Sequence, residues 1–243
     1  MHRDYHRWYS HRLSRDMGVV VYGHYGVPIL AFPTSGGDEW EQEGQGMIRT
    51  LGPYLEQGRI RIFSINGVNN DIFQDKSAHP FHRSWLLAQY AGYVANEVFP
   101  LIDSQCQTPG IQIATLGASL GAFHAANILL KHPDRVKRCY GLSGVYDMRN
   151  SMDGMYDDNF YFNNPVDYMA NQNDPWFLHQ YATCDIRLTT GTGAWEVPGP
   201  TYQMSALLAS RGIPHHLDDW GPKGGHDWPY WHHQMWEYVG AHF

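Results

Sequence analysis

The chain has 243 residues, a formal charge of −7, 14% aromatic residues and only 17% charged residues. This length suits one domain with a sizeable core, and the aromatic content argues against intrinsic disorder. The acidic balance argues against a nucleic-acid partner, because few cations would be present to neutralise phosphates. Fifteen histidines leave metal binding, acid–base chemistry and plain packing all open.

The sequence predicts neither a targeting segment nor a membrane partner. The first residues are polar and charged, with no apolar stretch of a signal peptide behind them. No run approaches the roughly 18 apolar residues that a membrane span needs. Three widely spaced cysteines, Cys106, Cys139 and Cys184, are typical of reduced thiols, so we expect a cytoplasmic protein.

Apolar strand-like runs alternate with segments of helical periodicity along the chain. In chain order the predicted elements are strands 17–22 and 27–32, helix 46–56, strand 59–65, helix 81–99, strand 111–116, helix 119–131, strands 136–142 and 185–190, helix 201–211, strand 215–220 and helix 228–239. The first two strands, joined by a Gly-His-Tyr-Gly connection, have the signature of a hairpin. The alternation predicts an α/β fold: a mostly parallel sheet with helices on both faces and an antiparallel hairpin at one edge.

Residues 146–182 interrupt this alternation. Their centre is rich in Asp, Asn, Tyr, Phe and Met and shows little periodicity. Long irregular stretches in a compact domain are often functional. We therefore expect either a surface excursion with two short helices or a small cap over a ligand site, within one domain of residues 1–243.

The sequence Gly117-Ala118-Ser119-Leu120-Gly121 is a G-x-S-x-G motif that follows an apolar strand and begins an alanine-rich helix. That setting is what a nucleophile elbow requires, because the turn is so tight that its flanking positions must be small. The elbow would present the Ser119 hydroxyl above the end of the strand. The Leu120 N–H, at the start of the helix, could donate to an oxyanion.

A serine nucleophile needs a base, and His226 lies in a glycine-rich loop directly after the last predicted strand. The remaining histidines in this half of the chain fit less well. His215 and His216 lie at the wrong end of a strand, and His124 lies one turn into the nucleophile helix, where it packs or lines the site.

A serine nucleophile and its histidine base form a catalytic triad with a third residue, a carboxylate. This carboxylate is expected just beyond the carboxyl end of a strand. Glu196 is the only carboxylate in the loop after strand 185–190, and it is the preferred candidate. Asp218 and Asp219, near the end of the last strand, are the alternatives, and Asp227 would need an unusual local turn. A carboxylate here would fix the imidazole tautomer and stabilise the imidazolium.

A second oxyanion donor is expected in the loop Pro33-Thr34-Ser35-Gly36-Gly37, whose small residues allow close approach of the backbone to a ligand. The Ser35 N–H is the first choice, with Thr34 or Gly36 next. Trp40, Asn66 and His124 are the candidates for lining a substrate pocket. For Trp40, packing in the core is an equally good interpretation.

The elbow, the PTSGG loop at 33–37 and the terminal GGHDWPYW at 224–231 together resemble the putative-esterase branch of the α/β-hydrolase superfamily. That branch includes esterase D (S-formylglutathione hydrolase), feruloyl esterases, ferric-enterobactin esterases and mycolyltransferases. The resemblance covers nearly the whole chain, and it implies an α/β-hydrolase fold without a large lid domain.

By this resemblance Ser119 is the nucleophile, His226 the base, and the amides of Ser35 and Leu120 the oxyanion hole. The family places an Asp or Glu after the penultimate strand, where this chain has Glu196. The implied function is a serine carboxylic-ester hydrolase that acts on small-molecule esters through an acyl-enzyme, without metal or cofactor. The alternatives are an acyltransferase that uses the same acyl-enzyme and a non-catalytic hydrolase-like binding protein. The many Trp and Tyr residues are compatible with an oligomer interface, where aromatic residues are enriched.

Overall fold

Eight strands form one sheet in the computed structural model, which describes residues 1–243. The strands are β1 (Arg3–Ser10), β2 (Arg15–Tyr22), β3 (Val27–Phe32), β4 (Ile60–Ile65), β5 (Ile113–Ala118), β6 (Val136–Leu142), β7 (Asp185–Thr190) and β8 (His216–Asp219). The α-helices are α1 (Glu41–Gly44), α2 (Met47–Thr50), α3 (Gly52–Glu56), α4 (Pro80–Tyr93), α5 (Phe99–Cys106), α6 (Leu120–Lys131), α7 (Asp158–Tyr161), α8 (Pro165–Ala170), α9 (Pro175–Tyr181), α10 (Gly199–Ser210) and α11 (Trp228–His242). None of them is long and apolar enough to cross a membrane.

The strand order is β1-β2-β4-β3-β5-β6-β7-β8. The strands from β4 to β8 in this order are mutually parallel, whereas β2 runs antiparallel to both of its neighbours. The predicted fold class is therefore confirmed: a mostly parallel sheet with an antiparallel edge and no evident lid. Because parallel strands end at the same edge, the loops after β3, β4, β5 and β7 share one end of the sheet.

The predicted hairpin is wrong, because strands 17–22 and 27–32 do not pair with each other. β4 lies between β2 and β3, so the Gly23–Gly26 connection joins strands that do not pair. The hairpin is formed instead by β1 and β2, with Tyr5 opposite Val20. The polar sequence of β1 hid this strand, although charged side chains are typical of an exposed sheet edge.

Two helix predictions also need correction. Residues 46–56 form the separate helices α2 and α3, and Gly46 precedes them in the left-handed region at φ 89°. The predicted helix 81–99 continues through a π-helical segment, Val94–Val98, into α5. Pro100 does not end it: it lies in the first turn of α5, directly after the π-helical segment, where the regular α-helical hydrogen bonding is already interrupted.

The sheet separates two apolar cores. Along β2, Val19 and Val21 join the larger core, under α4, α5 and α6, while Val20 and Tyr22 join the smaller one, under α2, α3 and α11. This alternation follows from the two-residue period of a strand. Helix α6 is buried along almost its whole length, so its first turn has a fixed position relative to the sheet.

The irregular segment 146–182 contains three short helices, α7, α8 and α9, and a 3-10 turn. It is attached to α4 by a buried side chain: Arg83 donates to the Asp153 carboxylate at 2.6 Å and to the Ser151 carbonyl. Met152, Phe160 and Met169 of this segment are fully buried in the larger core. The segment therefore extends the helical layer on that face.

Candidate active site

Ser119 occupies a sharp turn between β5 and α6. Its backbone has φ 55° and ψ −121°, and a positive φ of this kind is costly for a residue with a side chain. A Cβ on Gly117 would overlap the Gly121 backbone, and a Cβ on Gly121 would lie 2.8 Å from the Pro33 carbonyl oxygen. The flanking glycines are thus required sterically, and the turn holds the hydroxyl at the carboxyl edge of the sheet.

His226 faces this hydroxyl. Its Nε2 lies 3.0 Å from the Ser119 Oγ, a hydrogen-bond distance. The backbone N–H of His226 donates to the Ala194 carbonyl at 2.9 Å, and the ring packs edge-on against Trp231. The loop after β8 is therefore tied to the loop after β7, and the imidazole is fixed between a hydroxyl and an indole.

Glu196 lies on the other side of this imidazole. Its Oε2 is 3.7 Å from His226 Nδ1, an ion-pair distance, and its side chain is only 1% exposed. Oε1 accepts a hydrogen bond from the Thr190 hydroxyl at 2.8 Å. Burial by itself raises the pKa of Glu196, but the polar groups of His226, Ser143 and Thr190 reverse the shift and hold the pKa below its ordinary value. The carboxylate is thus ionised at neutral pH.

Ser143 was not predicted from the sequence. Its hydroxyl accepts a hydrogen bond from the Trp231 indole N–H at 3.0 Å, and it is one of the groups that lower the pKa of Glu196. The local signal was absent, because Ser143 follows β6 and Trp231 lies on α11, far apart in the chain. Trp231 therefore contacts both the Ser143 hydroxyl and the imidazole ring of His226.

The alternative carboxylates are engaged elsewhere. Asp218 accepts from the Tyr238 hydroxyl at 2.8 Å and Asp219 from the Tyr202 hydroxyl at 2.6 Å. Asp227 caps α11 by accepting from the Trp228 N–H. Among the carboxylates considered from the sequence, only Glu196 is paired with His226.

The loop after β3 lies against the start of α6, since Phe32 pairs with Gly117 in the sheet. The N–H groups of Ser35 and Leu120 make no hydrogen bond within the protein. Thr34, in contrast, is held on both sides. Its N–H and hydroxyl donate to the Glu41 carboxylate at 2.7 and 2.5 Å, and its carbonyl accepts from Asn69 Nδ2 at 3.0 Å.

The geometry is matched by a relationship in sequence: residues 10–242 match the family model described as "Putative esterase". The chain belongs to this esterase family. It is therefore a carboxylic ester hydrolase. The comparison with curated proteins gives no significant match.

Solved structures similar to this esterase include a ferulic acid esterase, with a TM-score of 0.76 and 17% identity over 98% of this chain and 97% of the other. An S-formylglutathione hydrolase of Staphylococcus aureus has a TM-score of 0.68 and 15% identity over 99% and 98% of the two chains. A fluorophosphonate-binding serine hydrolase of the same organism has a TM-score of 0.69 and 15% identity over 98% and 97%. At these identities the similarity establishes the α/β-hydrolase fold.

The residues predicted to contact substrate are not clustered in the way that Ser119, His226 and Glu196 are. Trp40 packs its ring 5.1 Å from that of Tyr5 on β1, and three strands separate β1 from β5. The structure therefore places Trp40 towards the β1 edge of the sheet, because the chain runs outwards into α1 after the loop that follows β3. Asn66 follows β4, at the correct end of the sheet, and its backbone is fixed by Gly18 and Tyr90.

His124 lies in the core of the esterase and is only 3% exposed. It is stacked on Phe32 and surrounded by Phe73, Phe123 and Tyr90. Burial lowers its pKa to about 3, so the imidazole is neutral. A direct contact with substrate, as the sequence suggested, does not fit this burial. Its Nε2 instead lies 2.7 Å from Asn69 Oδ1.

A cavity of about 1510 Å³ opens at the amino ends of the strands, opposite the Ser119 cluster. Arg59, Arg61, Lys137 and Arg138 line it, with Asp185 as the single carboxylate side chain. Its volume alone would make it the first candidate for a ligand site. It contains none of the residues around Ser119, so size and chemistry point to different ends of the sheet.

Proposed function

We propose that this esterase hydrolyses small-molecule carboxylic esters through a Ser119–His226–Glu196 triad and an acyl-enzyme. The observation that carries the proposal is the geometry around His226, with Ser119 Oγ at 3.0 Å from one ring nitrogen and the Glu196 carboxylate at 3.7 Å from the other. A hydroxyl, an imidazole and an ionised carboxylate in this order form a nucleophile, a base and a group that orients the base.

In the acylation step, Ser119 Oγ attacks the ester carbonyl carbon while its proton moves to His226 Nε2. The carbonyl oxygen becomes an oxyanion, which the N–H groups of Ser35 and Leu120 are free to bind. When the tetrahedral intermediate collapses, the ester C–O bond breaks and His226 returns the proton to the leaving alkoxide. The products are an alcohol and an acyl group on Ser119.

In the deacylation step, water attacks the acyl carbonyl and His226 again accepts the proton. The second intermediate releases a carboxylic acid and restores the Ser119 hydroxyl. Glu196 keeps the proton of the neutral imidazole on Nδ1 and stabilises the imidazolium in both steps. An alcohol in place of water would give acyl transfer, so competing alcohols measure the partition between the two outcomes.

The test is the Ser119→Ala variant against Ser210→Ala, a matched change on the exposed end of α10. The substrates are aryl and alkyl esters of graded chain length, a feruloyl ester and S-formylglutathione, the last two chosen from the names of the structural relatives. We expect Ser119→Ala to lose turnover of every substrate and Ser210→Ala to retain it. Ester turnover by Ser119→Ala at the wild-type rate would refute the proposed nucleophile.

A further inference from the structure

The donor attributed to Ser35 belongs to the peptide group between Thr34 and Ser35. In a trans peptide the carbonyl and the N–H of one group point in opposite directions, and the chain contains no cis peptide bond. Whatever fixes the direction of the Thr34 carbonyl therefore also fixes the direction of the Ser35 N–H. That carbonyl accepts from Asn69 Nδ2 at 3.0 Å and, at 3.4 Å, from the Gly37 N–H within its own loop.

The Asn69 amide is held in turn by His124. Because the Thr34 carbonyl can only accept, Asn69 contacts it through Nδ2, and its Oδ1 is the atom 2.7 Å from His124 Nε2. An amide oxygen only accepts, so Nε2 carries the proton of the neutral imidazole and donates it to Oδ1. The amide is thus held at both ends, by the Thr34 carbonyl at Nδ2 and by His124 at Oδ1.

We propose that His124 and Asn69 are positioning residues that orient the Thr34–Ser35 peptide so that the Ser35 N–H points at the developing oxyanion. This inference rests on the proposed function, because an oxyanion forms only if Ser119 attacks the ester. Both side chains are buried, and neither is needed to touch substrate. Their contribution is the direction of a donor, which affects the transition state more than it affects ground-state binding.

The first test compares Asn69→Ala with Asn70→Ala, the exposed next residue. Complete removal of an oxyanion donor costs about 10²–10³-fold in kcat, so misorientation should lower kcat by about 10–100-fold. We expect this loss in Asn69→Ala, with KM changed by less than about threefold, and also weaker binding of a trifluoromethyl ketone that mimics the tetrahedral state. Asn70→Ala should remain within about twofold of the wild type in both measurements.

The second test separates the hydrogen bond from packing. His124→Phe keeps an aromatic ring among aromatic neighbours but removes the donor, whereas His124→Gln keeps an N–H near the position of Nε2. We expect a roughly 3–10-fold lower kcat for the Phe variant and recovery to within about threefold of the wild type for the Gln variant. Each kcat is expressed per site labelled by a fluorophosphonate, so that unfolded protein does not contribute.

A wild-type kcat per labelled site in Asn69→Ala, or equal losses in the Phe and Gln variants of His124, would overturn the inference. So would a change in KM without a change in kcat. These outcomes are distinct from failure of the proposed function, which appears as ester turnover by Ser119→Ala. If Ser119→Ala is inactive and Asn69→Ala is unaffected, only the positioning role is wrong.

Discussion

The two loops that flank Ser119 are held in different ways. The loop after β7, which carries Glu196, is joined to the His226 loop by backbone hydrogen bonds: Thr192 N–H to Gly221, Gly193 N–H to Gly224, and His226 N–H to Ala194. The loop after β3 is held mainly by the side chains of Glu41 and Asn69 acting on Thr34.

This difference has a consequence for mutation. Backbone hydrogen bonds survive most side-chain substitutions, so the loops after β7 and β8, which carry the proposed acid and base, should respond only to changes in the proposed reacting groups or in their tightly packed glycines. The loop after β3, which carries the proposed oxyanion donor, should respond to single changes in the side chains that hold it. The predictions below test this distinction, beginning with the largest expected effect.

The largest effect is expected for Glu196→Gln, which keeps the shape of the side chain but removes its charge. The neutral amide neither enforces the Nδ1–H tautomer of His226 nor stabilises the imidazolium, so kcat should fall by about 10³–10⁴-fold. Steady-state kinetics measure this loss, and urea unfolding checks that the fold is retained. Asp219→Asn is the control and should retain at least half of the activity, since Asp219 contacts Tyr202 and not His226.

Glu41→Ala tests the loop after β3, which is held by side chains. Alanine offers no acceptor, so the Thr34 N–H and hydroxyl both lose their partner. We expect kcat to fall by about 10-fold or more, as a partly misplaced oxyanion donor would require. Glu43→Ala on the same helix, where the side chain contacts Arg3 and Tyr22, should stay within about twofold. Equal kinetics of the two variants would contradict the distinction between the loops.

Gly193→Ala tests the loops after β7 and β8, which are joined by backbone hydrogen bonds. A Cβ at this position would lie 2.8 Å from the Gly224 carbonyl oxygen and 3.0 Å from the Pro222 carbonyl oxygen, and both are backbone atoms. The two loops must therefore separate, which should lower the free energy of unfolding by about 1–3 kcal/mol. Gly199→Ala is the matched control, since a Cβ there meets nothing within 4 Å. Urea denaturation of both variants provides the comparison, and equal stabilities would show that the loops are not tightly joined.

His124 also predicts a pH dependence of stability. Its pKa is about 3 in the folded protein and near 6.5 when exposed, so below pH 6.5 the unfolded chain binds a proton that the native state does not. Stability should therefore fall between pH 6.5 and pH 3, by up to about 1.4 kcal/mol per pH unit from this group, and stay constant above. Denaturation at pH 7, 5.5 and 4.5 should show a shallower decrease for His124→Gln. The same slope in both proteins would contradict a buried neutral imidazole.

The smallest effect is expected for Trp40→Ala. The ring contacts Tyr5 and Arg3 at the far edge of the sheet, so kcat/KM for every ester should stay within about twofold of the wild type. A selective loss for one class of ester would instead place Trp40 in the substrate pocket, as the sequence first suggested.

The sequence predicted the parallel sheet and its covering helices because buried strands and amphipathic helices leave strong periodic signals. It misplaced the hairpin because a short Gly-rich connection does not show that another strand, β4, enters between its two ends. It missed β1 because an exposed edge strand need not be apolar. Boundaries were close at β3, which Pro33 follows, and at β7, which Gly191 follows.

For the site, the local motifs indicated Ser119 and His226, and the order of elements indicated Glu196. The contacts of Glu41, Asn69 and Ser143 could not be predicted, since they join separate segments of the chain and no local pattern records them. His124 shows the limit most clearly. Its place one turn into α6 suggested a pocket residue, whereas four aromatic rings pack around it and bury it.

The central claim is that Ser119 carries the covalent intermediate. It is tested most directly by reacting the wild type and the Ser119→Ala variant with a fluorophosphonate and measuring intact mass, followed by peptide mapping. The account predicts one adduct per wild-type chain, located on the peptide that contains Ser119, and no adduct on the variant. An adduct on another residue, or equal labelling of the two proteins, would contradict it.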